Sequence, residues 1–395
     1  MHVLMTADTC GGVWTQAVEL CRGLCGRGHA VTLATSGGLP TGDQRAAVAV
    51  IDGVELRPTA FKLEWQPDAA ADVAAFGKVL QDLAADVRPD VVHLNEFSHG
   101  ALGFDAPKLV VGHSDVLSWH AAVRGREAGA EWDRYRRAVG AGLRAADAVA
   151  APTAWMLGEL AARFGPFGRT RVIPNGLASA GASAPRAVNA SPPSHGGLTP
   201  PRSPGREPFI FAAGRYWDEA KNLGALAAVA PRLAWPVKLA GLPSPDGAAE
   251  PPAGAEFLGR LSPAEMTGTY AAAGIYCLPA LYEPFGLTPL EAARGGCPLV
   301  LGDVDSLREV WGDAAAFVPP RDRDALAETL NRLIADPAAR ARLAAAAFER
   351  ARRYTRAAMT DAYLAVYREL RHIASRTLRA SGALKVAPAV FAGAV

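Results

Sequence analysis

Short apolar runs alternate with amphipathic stretches along this chain, and the alternation is laid down twice with a break between the two series. The first series reads "MHVLMT", "HAVTLAT", "DVVHLN", "KLVVGHS", "AVAAPT" and "RVIPNG". Between these runs the apolar spacing predicts helices from about Val13 to Arg27, near Asp72 to Ala85, around Trp132 to Ala145, and after "AVAAPT". Strands separated by helices need crossover connections, which implies a parallel sheet covered on both faces. The right-handed crossover rule makes that unit a doubly wound domain.

From about Ala178 to Pro208 the pattern stops, and proline, serine, glycine and alanine dominate without any apolar period. That is the composition of a flexible linker or an insertion. A second series follows: "FIFAAG", a helix after Asn222, "PVKLAG", "AEFLG", a helix from Pro263 to Ala273, "IYCLPA", a helix from Thr288, "PLVLGD" and a helix from Asp305. A last pair of helices fills Arg323 to about Thr377. At 395 residues the chain exceeds one ordinary core, which agrees with two domains. The expected division is an N-terminal Rossmann-like domain over 1–177, the linker over 178–208 and a C-terminal Rossmann-like domain over 209–352. Helices over 353–395 then cross back to the N-terminal domain. Two open α/β sheets face to face create a cleft lined by strand-end loops.

Charge narrows the partners. With 41 basic against 39 acidic residues the net charge is +2, which gives no general electrostatic reason to expect nucleic acid. Cys10, Cys21, Cys25, Cys277 and Cys297 are scattered without C-x-x-C spacing, so reduced thiols in a cytoplasmic protein are expected, with no cysteine-bound metal. The start "MHVLMT" enters a strand without the pattern of a signal peptide, and no apolar run is long enough to span a bilayer. The stretch "EWDRYRRAVGAGLRAAD" is basic on one side. We read it as a solvated face, with peripheral contact at the inner face of the membrane as the alternative.

Three strand-end loops carry chemistry. In "TADTCGGVWTQAVEL", Gly11 and Gly12 join the first strand to the first helix, but the second strand ends in Thr35 and Ser36 without the acid that a dinucleotide cofactor requires. The glycines therefore serve either a phosphate or sugar, or a plain tight turn. In "FAAGRYWDEAKNLGAL", Gly214 and Arg215 follow a strand and Lys221 precedes a helix. A cation there opposes the helix macrodipole by roughly 0.3–1 kcal/mol, which points to a bound anion. In "YEPFGLTPLE", Thr288, Pro289 and Glu291 read as a capping box, while Glu283 and Gly286 are left for a ligand. Together these loops suit a diphosphate without a metal, with Glu291 accepting from a ribose diol and Glu283 from sugar hydroxyls.

"GRYWDEAKN" followed by "YEPFGLTPLE" resembles the retaining glycosyltransferases of the GT-B architecture, glycosyltransferase family 4, whose signature is two glutamates separated by seven residues, here Glu283 and Glu291. The likeness extends through the Gly-Gly loop, "VIPNG", "EFLGRLSPAEM" and "PLVLGDVDSLREVWGDAAAFVPP". It implies that Arg215 and Lys221 bind the donor diphosphate and that the amides of Phe285, Gly286 and Leu287 contact phosphate and sugar. Gly12 would close over the phosphates, and Arg260 and Leu261 would lie beside the base. It also implies a catalytic His113 near the transferred sugar, donating to a hydroxyl or stabilising positive charge, while Trp119, His120 and Asn95 are assigned to the acceptor side. His93 and His99 read as packing or loop histidines. The implied activity is transfer of a sugar from a nucleoside diphosphate sugar to a hydroxyl acceptor (saccharide, lipid-linked glycan or small molecule), with retention, no metal and no cofactor. Two alternatives stand beside it, a nucleotide-sugar 2-epimerase of the same architecture and a non-catalytic glycan or nucleotide binder.

Overall fold

The computed structural model describes residues 1–178, 206–241 and 251–384. The linker expected over 178–208 lies, apart from its ends, outside the described residues. Seven strands form the first sheet: β1 (His2–Asp8), β2 (Ala30–Ser36), β3 (Val54–Pro58), β4 (Val91–Leu94), β5 (Lys108–Val111), β6 (Ala148–Ala151) and β7 (Thr170–Val172). Their order is β3-β2-β1-β4-β5-β6-β7, and every pairing is parallel. Six strands form the second: β8 (Glu207–Ala213), β9 (Val237–Ala240), β10 (Glu256–Phe257), β11 (Ala273–Leu278), β12 (Leu299–Gly302) and β13 (Ala316–Val318). They run β10-β9-β8-β11-β12-β13, again all parallel. The fold is thus two Rossmann-like domains.

Each sheet buries both faces, as its near-continuous apolar strands require. Val3 and Met5 of β1 pack on one side with Leu20 and Leu24 of the helix Gly12–Cys25, while Leu4 packs on the other with Phe76 and Leu80. In the second sheet Phe211, Ile275, Tyr276 and Val300 join Trp311 and Leu330 in one core. The five cysteines are free thiols. None of the described helices is long and apolar enough to cross a membrane.

The structure adds elements that the spacing did not show. β3 is a half-exposed edge strand ending in a proline, so it lacks the apolar run of its neighbours. The helix Gly42–Ala49 is held by a capping box between Thr41 and Gln44 rather than by an apolar stripe. A helix at Val116–Arg124 starts directly after the "GHS" turn, capped by Asp115. The C-terminal pair of helices is in fact three, Arg323–Ala335, Pro337–Ala351 and Arg356–Leu384, because Asp336 ends the first and caps the second with Pro337 in its first turn.

The helix Arg356–Leu384 lies on the first sheet, where Met359, Tyr363, Tyr367 and Leu370 enter the core with Val3 and Leu20. The chain therefore crosses between the sheets twice, and the crossings touch. Leu177 N donates to Tyr354 O at 3.1 Å and Arg356 N donates to Leu177 O at 2.7 Å. A Cβ on Gly176 would lie 2.2 Å from Thr355 O, so only glycine lets these two backbones approach.

Candidate active site

In a doubly wound sheet the crevice opens where strand order reverses, at the carboxyl ends of the two central strands. Here those strands are β1 and β4 in one sheet and β8 and β11 in the other. The loops after all four strands line a cavity of about 820 Å³. Topology alone thus collects Gly11, Asn95, Arg215 and Glu283 from four distant parts of the sequence.

On the C-terminal side two ion pairs organise the wall. Lys221 Nζ meets Glu283 Oε2 at 2.5 Å, and the other carboxylate oxygen of Glu283 accepts from Gly286 N at 3.0 Å. Arg215 Nη2 donates to Asp218 Oδ2 at 2.6 Å. Burial would raise the Asp218 carboxyl, but the charges of Arg215 and Lys221 hold it below the usual range. Burial likewise works against the Arg215 charge, and Asp218, Asp8 and Glu283 outweigh it. Arg215 Nε and Trp217 Nε1 remain buried without partners. Two donors of this kind at a cavity wall are suited to an incoming acceptor atom such as phosphate oxygen.

Two helix starts face each other across this wall. Gly286, at φ +91°, is the N-cap of the helix Leu287–Arg294, and no side chain caps that end. The helix Gly12–Cys25 likewise begins at Gly11 without a side-chain cap. A Cβ on Gly11 would come within 3.1 Å of Arg215 Nη1, and one on Gly12 within 3.4 Å of Leu287 Cδ1. Free first-turn amides and two guanidinium or ammonium groups make this seam a ready anion site.

On the N-terminal side His113 Nε2 lies 2.8 Å from Asn95 Oδ1, and His93 Nε2 lies 3.2 Å from the same oxygen. Asn95 Nδ2 donates to Thr6 O at 2.6 Å, which fixes the amide so that Oδ1 faces both rings. Both imidazoles must then donate through Nε2, and His93 Nδ1 accepts from Tyr367 OH at 2.5 Å. Burial pushes His113 down to about 4 and His93 down to about 3, so both rings are neutral near pH 7. Around them stand Asp8, Glu64, Glu96 and the rings of Trp65, Trp119 and Trp132.

The structure brings together Gly11, Gly12, Asn95, His113, Trp119, His120, Gly214, Arg215, Lys221, Arg260, Leu261, Glu283, Phe285, Gly286 and Leu287 on one cavity. Glu291 is the exception among the residues singled out. The helix starts one residue early at Leu287, the Thr288–Glu291 capping box does not form, and the Glu291 carboxylate accepts from Tyr270 OH at 3.0 Å. Burial raises that carboxyl to about 7.

Two further expectations change. Lys221 ends a short 3-10 turn at Glu219–Lys221 and is neutralised by Glu283, so its charge does not by itself demand an outside anion. His113 has its N–H committed to Asn95 and offers Nδ1 as an acceptor, so it does not donate to a sugar hydroxyl. His93 and His99 are buried, as packing histidines should be. What the sequence did not reveal is that His93 shares Asn95 with His113 and reaches Tyr367 on the crossing helix, since those partners are 274 residues apart. Glu64 and Glu96 were also not picked out, because each is an isolated acid in its own segment. Among the described residues no group of three or more His, Cys, Asp or Glu is arranged to hold a metal.

The comparisons agree with this architecture. The family described as Glycosyltransferase Family 4 matches residues 10–179, and Glycosyl transferases group 1 matches residues 240–350. The two matches together take in more than half of the chain, and it belongs to the family 4 glycosyltransferases of GT-B fold. The phosphatidyl-myo-inositol mannosyltransferase of Mycolicibacterium smegmatis is 31% identical over 170 residues, covering 40% of this chain and 44% of that protein. The alignment thus spans less than half the length of that curated relative. Among solved structures, sucrose-phosphate synthase from Thermosynechococcus elongatus superposes with a TM-score of 0.71 at 19% identity, covering 94% of this chain and 99% of that one. Anabaena Alr3699/HepE in complex with UDP-glucose gives 0.67 at 16% identity, covering 93% and 100%.

Proposed function

We propose that this protein transfers a sugar from a nucleoside diphosphate sugar to a hydroxyl acceptor, with retention at the anomeric carbon and without a metal. The observation that carries the reading is the convergence of Arg215, Lys221 and the uncapped starts of the helices Gly12–Cys25 and Leu287–Arg294 on one seam of the cavity. The diphosphate occupies that seam. Its charge rises as the glycosidic bond breaks, and groups fixed in advance around it stabilise the departing phosphate more than the bound donor. Lys221 and Gly286 N share Glu283, whose carboxylate oxygens each keep a lone pair for a donor-sugar hydroxyl. Arg260 and Leu261, after β10, stand beside the base.

The acceptor enters from the N-terminal side and attacks on the face the phosphate leaves, giving its proton to the departing phosphate oxygen. This scheme asks for no enzymic nucleophile. The names of the relatives fit it: one is a mannosyltransferase, and one fold neighbour was solved with UDP-glucose. The 2-epimerase and non-catalytic alternatives carry no observation of their own here. Thermal-shift screening of UDP-, GDP-, ADP- and dTDP-sugars, followed by mass spectrometry and NMR of products, tests the reading. We expect one donor to stabilise the protein and a new glycosidic bond of the donor's own configuration. An epimerised nucleotide sugar formed without acceptor, or no nucleotide bound at all, overturns it.

A further inference from the structure

The two walls of the cavity differ in kind. Among the described residues, the lysines and arginines that line it are Arg215, Lys221 and Arg260, and all three belong to the C-terminal half. The N-terminal half contributes the carboxylates of Asp8, Glu64, Glu96 and Asp115, whereas those of the C-terminal half, Asp218, Glu219 and Glu283, are paired with Arg215, Arg124 and Lys221. Arg124, the last residue of the helix Val116–Arg124, is held by Glu219 through two bonds of 2.7 and 2.8 Å.

Three further observations on that wall point to one ligand chemistry. Asn175 lines the cavity at 6% exposure with its Oδ1 lacking any partner, and His113 offers Nδ1 as an acceptor. Trp65 also lines it and is 38% exposed, unusual for so large an apolar side chain. A wall of acceptors beside an open indole face matches a molecule with O–H donors around its edge and C–H groups on its face. A phosphate presents acceptors only, and here it would meet carboxylates with no lysine or arginine of this wall among the described lining residues. Among the described residues, the uncapped helix start on this side, that of Gly12–Cys25, is turned toward Arg215 and Leu287 and belongs to the donor diphosphate.

We propose, resting on the transferase reading above, that the acceptor is an uncharged saccharide or polyol whose ring stacks on Trp65, and that the site rejects phosphorylated and other anionic acceptors. Asn175 Oδ1 and His113 Nδ1 take two of its hydroxyl protons. The C-terminal wall tolerates and uses negative charge, whereas the N-terminal wall excludes it.

The test uses the full chain with the donor found by thermal shift. Hexoses, disaccharides and myo-inositol are each offered beside their own monophosphates, and product is counted by mass spectrometry. The neutral member of every reactive pair should show kcat/KM at least tenfold higher. Equal or better use of the phosphorylated member overturns the proposal. Trp65→Ala should lower kcat/KM for the neutral acceptor about fivefold to tenfold, through KM, with unchanged Kd for the nucleoside diphosphate. An unchanged acceptor KM removes the stacking role. Failure of the transferase reading looks different: no nucleoside diphosphate binds, and neither member of any pair is glycosylated.

Discussion

The two halves of the molecule share one architecture and differ at the same structural position. Both are parallel sheets whose order reverses beside the first strand, and both deliver their chemistry from loops after the two central strands. In the C-terminal half those loops present Arg215, Lys221 and the start of the helix Leu287–Arg294. In the N-terminal half they present Asp8, Asn95 and Glu96, and the loop after the neighbouring β5 adds a neutral His113. The fold specifies where a ligand sits, and a few side chains at strand ends specify what it is.

The sharpest way to break this comparison is to remove a cation. Lys221→Ala should lower turnover by 10²–10³-fold, about 3–4 kcal/mol of transition-state stabilisation, and weaken nucleotide binding. Steady-state kinetics with a circular-dichroism check of folding would measure it. A loss under tenfold would mean that the C-terminal wall does not carry the leaving group.

A matched pair of substitutions compares how the halves respond to pH. Glu291 has a folded pKa of about 7 against an ordinary 4.5, so the folded protein holds a proton that the unfolded chain releases. Stability must fall as pH rises from about 4.5 to about 7 and then level off. Glu291→Gln should therefore gain on the order of 1–3 kcal/mol at pH 8 relative to wild type and nothing at pH 4. His113 has the opposite sign: its folded pKa of about 4 lies below the ordinary 6.5, so the unfolded chain takes up the proton first. Its contribution is present above pH 6.5 and is lost as pH falls toward 4. His113→Gln should lose less stability than wild type between pH 7 and pH 4.5. Urea titrations of the ligand-free proteins at each pH would read both differences, and parallel curves for either variant would remove that assignment.

The smallest effect tests whether the crossing helix helps to hold the N-terminal wall. Tyr367→Phe leaves His93 Nδ1 buried without its donor and should cost about 1–2 kcal/mol, read as a lower urea midpoint. The affinity for a nucleoside diphosphate, which belongs to the other half, should not move.

Much of this was legible before any coordinates. "FAAGRYWDEAKN" and "YEPFGLTPLE" place a strand end, a glycine and charged residues within a dozen positions, and such local combinations survive folding intact. The loops were therefore located correctly, including Gly11 and Gly12. Glu291 shows the limit. Thr288, Pro289 and Glu291 satisfy the rules of a capping box, yet Gly286 can adopt φ +91° and Tyr270 can supply a hydroxyl, and together these shift the helix start and turn the carboxylate aside. Asn95 was assigned to the acceptor side, but its bonds to Thr6, His93 and His113 depend on which strands are neighbours.

The sequence by itself determined two doubly wound sheets and the loops at their strand ends, because apolar periodicity, glycine and charge act over a few residues. Tertiary structure alone decided which charges pair, which way each imidazole carries its proton and that, among the described residues, the lysine and arginine residues lining the cavity stand on one wall. Those outcomes depend on burial and on partners up to hundreds of positions away, brought within hydrogen-bonding reach by the strand order and by the helix Arg356–Leu384 crossing back to the first sheet.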